Sequence, residues 1–295
     1  MSFYPGAADY SDGLLTVDAA LNEPTHIEQR IADIIGPSLL ADHMFTGGGE
    51  VEGGAVIYSR TTEKHLFTDV DVTDRETGDE YPVVYSQRPE SEIAKVQDFG
   101  GKFAVSDEAR KRNLSVDFDN DVTRLANTIK RKLDKRVIET IDAAIAQGDT
   151  IEFNPEAPWS DVEVFGDPTK QTGLGGRPAT AIAQMIGLVE DKDLGVSYDR
   201  LLVSPMKRAV LRSIYGADLK VMLEDFGLEL YSSTHVPSNT AYLVDSGNVG
   251  FLRYETPLTI EPYDDRAHRQ TWVQGYAMPV MGVTLPAAIG VLENI

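Results

Sequence analysis

The sequence contains no cysteine, and it has no run of about 18 apolar residues. Without cysteine the chain can form neither disulfide bonds nor thiolate metal sites, and a cytosolic origin is compatible with its composition. Without a long apolar run it has no candidate membrane-spanning helix. The first residues, MSFYPGAADYSDG, lack both the basic start and the apolar core of a secretory signal. These absences predict a soluble protein that is not exported by a classical signal.

Positive charge is also scarce in this chain. It has 27 lysines and arginines against 47 aspartates and glutamates, which gives a net charge of −20 and a pI near 4.6. This balance argues against tight, non-specific binding to nucleic acid or to an anionic membrane, because both depend on positive charge. The 295 residues, 42% of them hydrophobic, are enough to bury a sizeable core in one large or two ordinary domains.

Glycine is concentrated in the stretch HMFTGGGEVEGGAVIYSR. A glycine loop that binds phosphate follows a strand and opens a helix, whereas these glycines follow a predicted helix and lead into a predicted strand at Ala55–Arg60. Glu50 and Glu52 would also repel phosphate. A hinge or a turn is therefore the favoured interpretation, because glycine adopts positive φ at little cost.

Helices are predicted in the first half of the chain. Residues Met1–Glu23 predict an extended arm, and a helix follows over Thr25–Asp42, interrupted by Pro37. A much longer helix is predicted over Asp119–Gln147, where apolar residues recur every three or four positions. Its middle is the one dense basic cluster of the chain; a solvated helix face is the simpler interpretation, and a surface facing a polyanion or an acidic partner is the alternative. The basic cluster consists of Lys130, Arg131, Lys132, Lys135 and Arg136.

A segment without a core of its own lies between Gly53-Gly54 and Gly100-Gly101 and spans 45 residues, 55 to 99. The runs AVIYSR, YPVVYSQ and EIAKVQ predict an antiparallel ribbon, and DVTDRETGDEYP predicts its exposed tip. A two-stranded ribbon of this kind is only marginally stable alone in water. The next stretch, KFAVSDEARKRN, predicts a strand and then a short helix capped by Ser106.

The second half of the sequence predicts alternating helices and strands. Pro178 starts one predicted helix, and Ser204 caps another, which Gly216 ends. The segment Ile151–Arg177 before them predicts a polar connection, so the expected fold class is α+β. The predicted strands are YDRLLVS, LELYS, AYLVD, NVGFLRYE, LTIEP, TWVQGYAMPVMGVTL and AAIGVLEN.

No group of residues has the spacing of a catalytic or metal site. The five histidines are not spaced like metal ligands, and Ser204 lacks the Gly-x-Ser-x-Gly elbow of a nucleophile. Asp69, Asp71 and Asp74 alternate like a cation site but lack the glycine and glutamate of a calcium loop. The remaining anion candidate, GLGGR at Gly173–Arg177, lacks a strong preceding strand. We therefore expect no catalytic residue, no metal site and no cofactor, and a protein that is not an enzyme.

The serial order of these parts resembles the major capsid proteins of tailed bacteriophages, whose shell fold is called the Hong Kong 97 type. The likeness covers nearly the whole chain and implies an N-terminal arm and short helix at 1–45, an extended loop at 46–101, a peripheral domain with the spine helix at 102–176, an axial domain at 177–250 and peripheral return strands at 251–295. The segments similar to actinobacterial phage capsid proteins are GGAVIYSR, FGGKFAVSDEARKRN, DNDVTRLANTIKRKLDKRVIETIDAAIAQG, PATAIAQMIGLVED, YDRLLVSPMKRAVLRSIYG, FGLELYSSTHVPSNTAYLVDSGNVGFLRYETPLTIE and WVQGYAMPVMGVTLPAAIGVL.

This resemblance implies a structural protein that assembles into hexamers and pentamers of an icosahedral shell around double-stranded DNA. The partners implied are further copies of the chain, scaffold and portal proteins, with or without a decoration protein, and no membrane. It also implies assembly in the host cytoplasm and a final location in the virion. An encapsulin-like nanocompartment shell is an alternative within the same fold, and a soluble α/β hydrolase is the alternative from another class.

Three sets of residues take their roles from the resemblance. Glycines at the base of the loop would be its hinges, cations on the loop would form salt bridges with a neighbouring subunit, and the basic cluster of the spine helix would face the lumen and contact DNA weakly. The hinge candidates are Gly47, Gly48, Gly49, Gly53, Gly54, Gly100 and Gly101. The contact candidates are Arg60, Lys64, Arg75 and Arg88.

Some members of this family seal their shells with lysine–asparagine isopeptide bonds promoted by a glutamate. Here Lys64 and Lys95 lie on the loop, but TWVQGYAMPVMGVTL contains neither Asn nor Glu, and Gln274 and Gly275 are closest to the acceptor position. The reaction needs a base to take the proton of the amine. We therefore expect a shell held by non-covalent contacts only.

Overall fold

The structure is a computed structural model that describes residues 10–11, 14–35, 39–68, 70–78, 80–85, 87–164, 169 and 171–295. Helices and strands are mixed along the chain, which confirms the α+β class. Two sheets, of four and five strands, carry most of the strands. Two short pairs complete the set of described strands: β1 (Tyr10–Ser11) with β2 (Leu14–Leu15), and β4 (Ala55–Ser59) with β5 (Ser91–Lys95).

Three helices open the chain: α1 (Val17–Asn22), α2 (Pro24–Ile35) and α3 (Leu40–Met44). The prediction of an extended arm up to Glu23 is wrong from Val17 onward, because the Thr16 hydroxyl accepts a hydrogen bond from the Ala19 amide and caps a helix there. The predicted helix Thr25–Asp42 is divided into α2 and α3, and Pro37 lies outside the described residues. Residues 1–9 of the predicted arm lie outside them as well.

The long helix predicted in the middle of the chain is confirmed as α6 (Ser115–Gln147). Its 33 residues give a rod of about 50 Å at a rise of about 1.5 Å per residue. It follows the short helix α5 (Asp107–Lys111), which the Ser106 hydroxyl caps as predicted. The helix ends at Gly148, whose φ of +88° favours glycine. One stripe along it is buried, formed by Val122, Leu125, Ala126, Ile129, Leu133, Val137 and Ile141.

The four-stranded sheet covers this buried stripe. Its strand order is β3 (Thr46–Glu50), β11 (Gly250–Asp265), β12 (Gln270–Val283) and β6 (Phe99–Ser106), with β3 parallel to β11 and the other pairs antiparallel. Leu125 comes so close to β6 and β12 that Cβ atoms at Gly101 and Gly275 would lie 3.1 and 3.2 Å from its methyl groups. The predicted strands NVGFLRYE and LTIEP form one strand, β11, which is irregular between Tyr254 and Thr259.

The five-stranded sheet has the order β7 (Ile151–Phe153), β13 (Ile289–Glu293), β10 (Thr240–Val244), β8 (Arg200–Val203) and β9 (Glu229–Ser232). Three helices accompany it: α7 (Pro178–Glu190), α8 (Pro205–Tyr215) and α9 (Asp218–Asp225). The starts at Pro178 and Ser204 and the stop at Gly216 are confirmed. Strand β7 lies in the segment predicted to be only a connection. Strand β13 pairs within this sheet, although the predicted division grouped it with the peripheral strands.

The predicted ribbon is shorter than expected. Strands β4 and β5 pair in antiparallel register with Ile57 opposite Ile93, and the short helix α4 (Glu63–Leu66) follows β4. The strand predicted at YPVVYSQ is wrong for its described residues, 81–85 and 87, which belong to no strand. Strong β-propensity alone does not make a strand where no neighbouring strand supplies hydrogen bonds. The predicted exposed tip is confirmed for its described residues, 71–78 and 80–82.

Candidate assembly surfaces

The base of the ribbon rests on a small apolar cluster that is separate from the main core. Val51, Phe251 and Val280 are its buried members, and side chains from one ribbon face pack against them. The Tyr58 ring meets the Phe251 ring edge-on at 5.3 Å, and the Tyr58 hydroxyl donates a 2.7 Å hydrogen bond to Glu92. Burial, together with that bond, raises the pKa of Tyr58 to about 12. One face of the ribbon is thus packed against the body of the subunit.

The other face and the tip of the ribbon expose an unusual amount of apolar surface. Ile57 and Ile93, opposite each other on the outer face, are 72% and 63% exposed. Of the 16 large hydrophobic side chains exposed in the described chain, ten lie between residues 57 and 93. A concentration of exposed apolar side chains in one segment indicates an interaction site. These ten are Ile57, Leu66, Phe67, Val70, Val72, Tyr81, Val83, Val84, Tyr85 and Ile93.

The four cations predicted to reach a neighbouring subunit have different environments. Arg60 is engaged within its own chain, where its guanidinium donates to the carbonyl oxygens of Gly148 and, at 3.5 Å, Ala144. Arg75 lies 4.7 Å from the centre of the Tyr81 ring. Lys64 and Arg88 are exposed. The intersubunit role stays a prediction for all four cations. Arg60 already makes contacts within its own chain, which a neighbouring subunit would have to replace or add to.

The candidate hinge glycines also fall into two groups. Gly49, Gly53 and Gly54 have positive φ values of +72°, +85° and +76° with open space where a Cβ would lie. Gly47 and Gly48 lie in the exposed strand β3, again with open space around them. These five positions are compatible with the hinge role, which stays a prediction.

Gly100 and Gly101 lie inside the paired strand β6. A Cβ at Gly100 would come within 2.6 Å of the Gly275 carbonyl oxygen, and one at Gly101 would lie 3.1 Å from Leu125. Close packing of strand against strand and of strand against helix is therefore a sufficient reason for glycine at both positions.

The basic cluster of α6 is largely neutralised by its own neighbours. Lys130 forms a 2.8 Å ion pair with Asp134, and Lys135 lies 3.4 Å from Glu139. Asp134 is only 6% exposed and also accepts a 3.0 Å hydrogen bond from the Leu40 amide, so its charge is part of the packing between α3 and α6. Sequence reasoning missed this role, since the contact spans 94 residues.

The other members of the cluster differ in exposure. The Arg136 guanidinium donates to the Gln97 carbonyl oxygen at 3.0 Å and lies 4.8 Å from the Phe99 ring centre. Burial lowers the pKa of Arg136 below its usual value, and the nearby carboxylates of Glu139 and Asp98 offset only part of this shift. Arg131 and Lys132 are exposed, and no described carboxylate lies within 4 Å of either. They are the two cations of the cluster available to an external anion.

A cleft of about 580 Å³ lies on the face of the four-stranded sheet opposite α6. Glu261 of β11 stands directly across from Gln274 of β12, and the Tyr276 hydroxyl donates a 2.9 Å hydrogen bond to Glu261. That bond raises the pKa of Tyr276. The segment around Gln274 lacks a carboxylate, but Glu261 of the neighbouring strand supplies one. The sequence argument that no base lies near the Gln274 side-chain amide is therefore wrong.

The residues considered for a metal site, a nucleophile or an anion site have other surroundings in the described chain. Within it, no three His, Asp or Glu side chains are grouped so that they could hold a metal ion. No helix of that part is long and apolar enough to cross a membrane. Ser204 caps α8 with its hydroxyl, 3.3 Å from the Lys207 amide, and His43 stacks on Tyr231 with ring centres 4.4 Å apart. GLGGR forms a short 3₁₀ turn before α7.

The sequence matches a known protein family. The profile of the family described as phage capsid protein matches residues 89–292, which is more than half of the chain. The chain belongs to this phage capsid protein family. This match confirms the resemblance to tailed-phage capsid proteins. The protein is therefore a structural protein of the virion capsid. No curated protein matches the chain.

Solved structures share the capsid fold at low sequence identity. A virus-like particle from Pyrococcus furiosus matches with 13% identity and a TM-score of 0.58, covering 91% of this capsid protein and 98% of that chain. The structure titled Mycobacterium phage Bobi matches with 13% identity and a TM-score of 0.59, covering 87% and 90%. The structure titled Microbacterium phage Oxtober96 matches with 13% identity, a TM-score of 0.59 and coverage of 87% and 91%. These matches confirm the Hong Kong 97-type fold.

Proposed function

We propose that this capsid protein is the major shell subunit of a tailed bacteriophage and assembles into the hexamers and pentamers of an icosahedral shell around double-stranded DNA. The observation that carries the proposal is the ribbon. Its outer face and tip expose ten large apolar side chains that the subunit itself does not cover. Neighbouring copies in a shell are the natural cover for such a surface.

Energetics favour covering the ribbon. Burial of apolar surface contributes about 25 cal/mol per Å², so the side chains between residues 57 and 93 can contribute several kcal/mol to association. The two strands β4 and β5 are too few for a stable sheet of their own. Assembly therefore stabilises the ribbon, and the ribbon in turn stabilises assembly.

The interior of the proposed shell has a limited attraction for DNA. With Lys130 and Lys135 paired to Asp134 and Glu139, only Arg131 and Lys132 of the basic cluster remain exposed and without a carboxylate within 4 Å in the described chain. Two cations on a chain of net charge −20 support weak, salt-sensitive contact with DNA or with an acidic scaffold protein. Scaffold, portal and decoration proteins are the further partners proposed, with assembly in the host cytoplasm.

Electron microscopy of the overexpressed protein tests the proposal directly. Closed icosahedral particles are expected, and protein that stays monomeric under all assembly conditions would contradict the proposal. Hydrogen exchange then locates the contacts: amides between Ala55 and Phe99 should be more strongly protected in closed shells than in free capsomers. Equal protection in both states would remove the ribbon from the intercapsomer contact.

The contents of native particles separate the proposal from its alternatives. Double-stranded DNA inside the particles supports the phage capsid, whereas a cargo enzyme in place of DNA supports a nanocompartment of the same fold. A non-enzymatic role is also proposed for the subunit. Turnover of ester or peptide substrates by purified protein would revive the hydrolase alternative.

A further inference from the structure

The ribbon and the second half of α6 are separated by an open cleft of about 250 Å³. The ribbon side of this cleft carries Lys95 and Gln97, and the helix side carries Arg136, Glu139 and Thr140. A cleft of this size shows that the ribbon and the helix are not packed tightly against each other along this stretch. Besides the backbone hydrogen bonds from Thr61 to Thr284 and from Gln97 to Pro279, the angle between ribbon and helix depends on side chains that cross or border this cleft.

Arg60 is the first such connection. It directly follows β4, its side chain is only 12% exposed, and its guanidinium donates to the carbonyl oxygens of Gly148 and Ala144. It also lies 3.8 Å from the Asp149 carboxylate. Carbonyl groups at a helix C-terminus have no partner within the helix and carry partial negative charge, so they attract a cation. Arg60 thus attaches the outgoing strand to the end of α6.

Arg136 makes the second connection in the opposite direction. It projects from α6 and donates a 3.0 Å hydrogen bond to the carbonyl oxygen of Gln97, which follows β5. In the described chain, the hydrogen bonds and ion pairs between residues 51–97 and residues 115–149 all come from these two arginines. One arginine holds each strand of the ribbon.

We propose that Arg60 and Arg136 form a clamp that sets the angle between the ribbon and the long helix. When the clamp opens, the ribbon turns about Gly53 and Gly54, which have positive φ and no neighbouring atoms where side chains would lie. This inference rests on the proposed function, because hexamers and pentamers require one sequence to adopt more than one curvature.

The contacts suit a clamp that can open. Only the terminal nitrogens of the two guanidinium groups are used, and the Nε atoms of Arg60 and Arg136 are buried without a hydrogen-bond partner in the described chain. A buried donor without a partner weakens the closed state. In addition, the ribbon face beneath the strands packs on the small cluster of Val51, Phe251 and Val280, which is separate from the main core.

Hydrogen exchange in free capsomers tests the clamp without depending on shell closure. The variants are Arg60→Gln, Arg136→Gln and the double variant. Their matched controls are Arg124→Gln, an exposed arginine of the same helix, and Arg266→Gln, an exposed arginine of the turn between β11 and β12. We expect exchange in 55–59 and 91–95 to accelerate at least about tenfold in each clamp variant. Exchange in 240–244 should not change, and both controls should match the wild type.

Particle size supplies the second readout. Clamp variants should give shells with a broad range of diameters, while wild type and controls give one diameter. Arg60→Lys and Arg136→Lys keep the charge but lose the planar fork of donors, so intermediate exchange rates are expected and guard against misfolding of the glutamine variants. Unchanged exchange in both single variants and the double variant would overturn the clamp. If the wild type forms no shells, the proposed function fails, but the exchange data still decide about the clamp.

Discussion

The hydroxyl of Tyr242 donates a 2.8 Å hydrogen bond to the Asp142 carboxylate, and this contact joins the five-stranded sheet to the long helix. The Tyr242 side chain is 2% exposed, whereas Asp142 lies at the surface of α6. Burial, and after it the bond to Asp142, raises the pKa of Tyr242 well above its usual range. The phenol therefore stays protonated and acts as a donor at neutral pH.

Removing this hydroxyl should loosen the connection between the sheet and the helix. We expect Tyr242→Phe to lower the free energy of unfolding by about 1 to 2 kcal/mol, the range for a hydrogen bond to a charged group. Urea unfolding of the subunit measures this change. Tyr85→Phe is the matched control, because Tyr85 is 68% exposed, and it should have no measurable effect. Equal stability of the two variants would contradict the structural role of the contact.

Two glycines assigned to the same hinge should respond differently to alanine. A Cβ at Gly100 would lie 2.6 Å from the Gly275 carbonyl oxygen, so Gly100→Ala should destabilise the subunit by about 2 kcal/mol through overpacking. At Gly48 nothing lies within 4 Å of a Cβ, and Gly48→Ala should change stability by less than about 0.5 kcal/mol. Thermal unfolding of both variants checks the contrast. Similar melting temperatures would refute close packing as the reason for Gly100.

Neutralising the exposed cations of α6 should change DNA content, whereas neutralising a paired cation should change the stability of the subunit. The double variant Arg131→Gln/Lys132→Gln should lower the DNA content of particles, or the retention of an acidic scaffold, with little effect on stability. Lys130→Gln should instead destabilise the subunit by about 1 to 3 kcal/mol, because the buried Asp134 loses its ion pair. DNA per particle and urea unfolding measure the two quantities. Normal DNA content in the double variant would leave α6 with a solvated face only.

The turn between β11 and β12 should show a pH dependence at the acid end. Hydrogen bonds from His268, with further ones from Trp272 and Gln270, lower the pKa of Asp265 from 3.8 to about 2. Because the folded-state pKa lies below the unfolded one, the stabilisation is complete above about pH 4 and is lost as the pH falls towards 2. Melting temperatures between pH 5 and 2 should fall less steeply for Asp265→Asn. Parallel curves for the variant and the wild type would contradict the proposed contacts.

The shell should contain no covalent cross-links between subunits. Mature particles boiled in SDS are expected to give one band near the chain mass of 32.4 kDa. Glu261 lies opposite Gln274 in the neighbouring strand, so a base is present, and the expectation depends on the absence of asparagine from that strand. A ladder of higher masses would refute it. Loss of such a ladder in Glu261→Gln would then identify the base.

Several features followed from local sequence alone. The long helix could be located from its apolar spacing and its glycine stop, and the starts of α5 and α8 from Ser106 and Ser204. These signals involve residues within one or two helical turns of each other, so no information about distant parts is needed. The serial order of the parts was also enough to indicate the capsid family.

The tertiary structure decided which distant segments meet. Residues 81–85 have the composition of a strand but no partner, whereas β13 joins the five-stranded sheet through β7 and β10. Arg60 was predicted to contact a neighbouring subunit and Arg136 to face the lumen, yet each reaches a backbone carbonyl of its own chain, 88 and 39 residues away. Local periodicity reports which face of a segment is buried, but strand pairing and ion pairing depend on long-range contacts that form only when the chain folds.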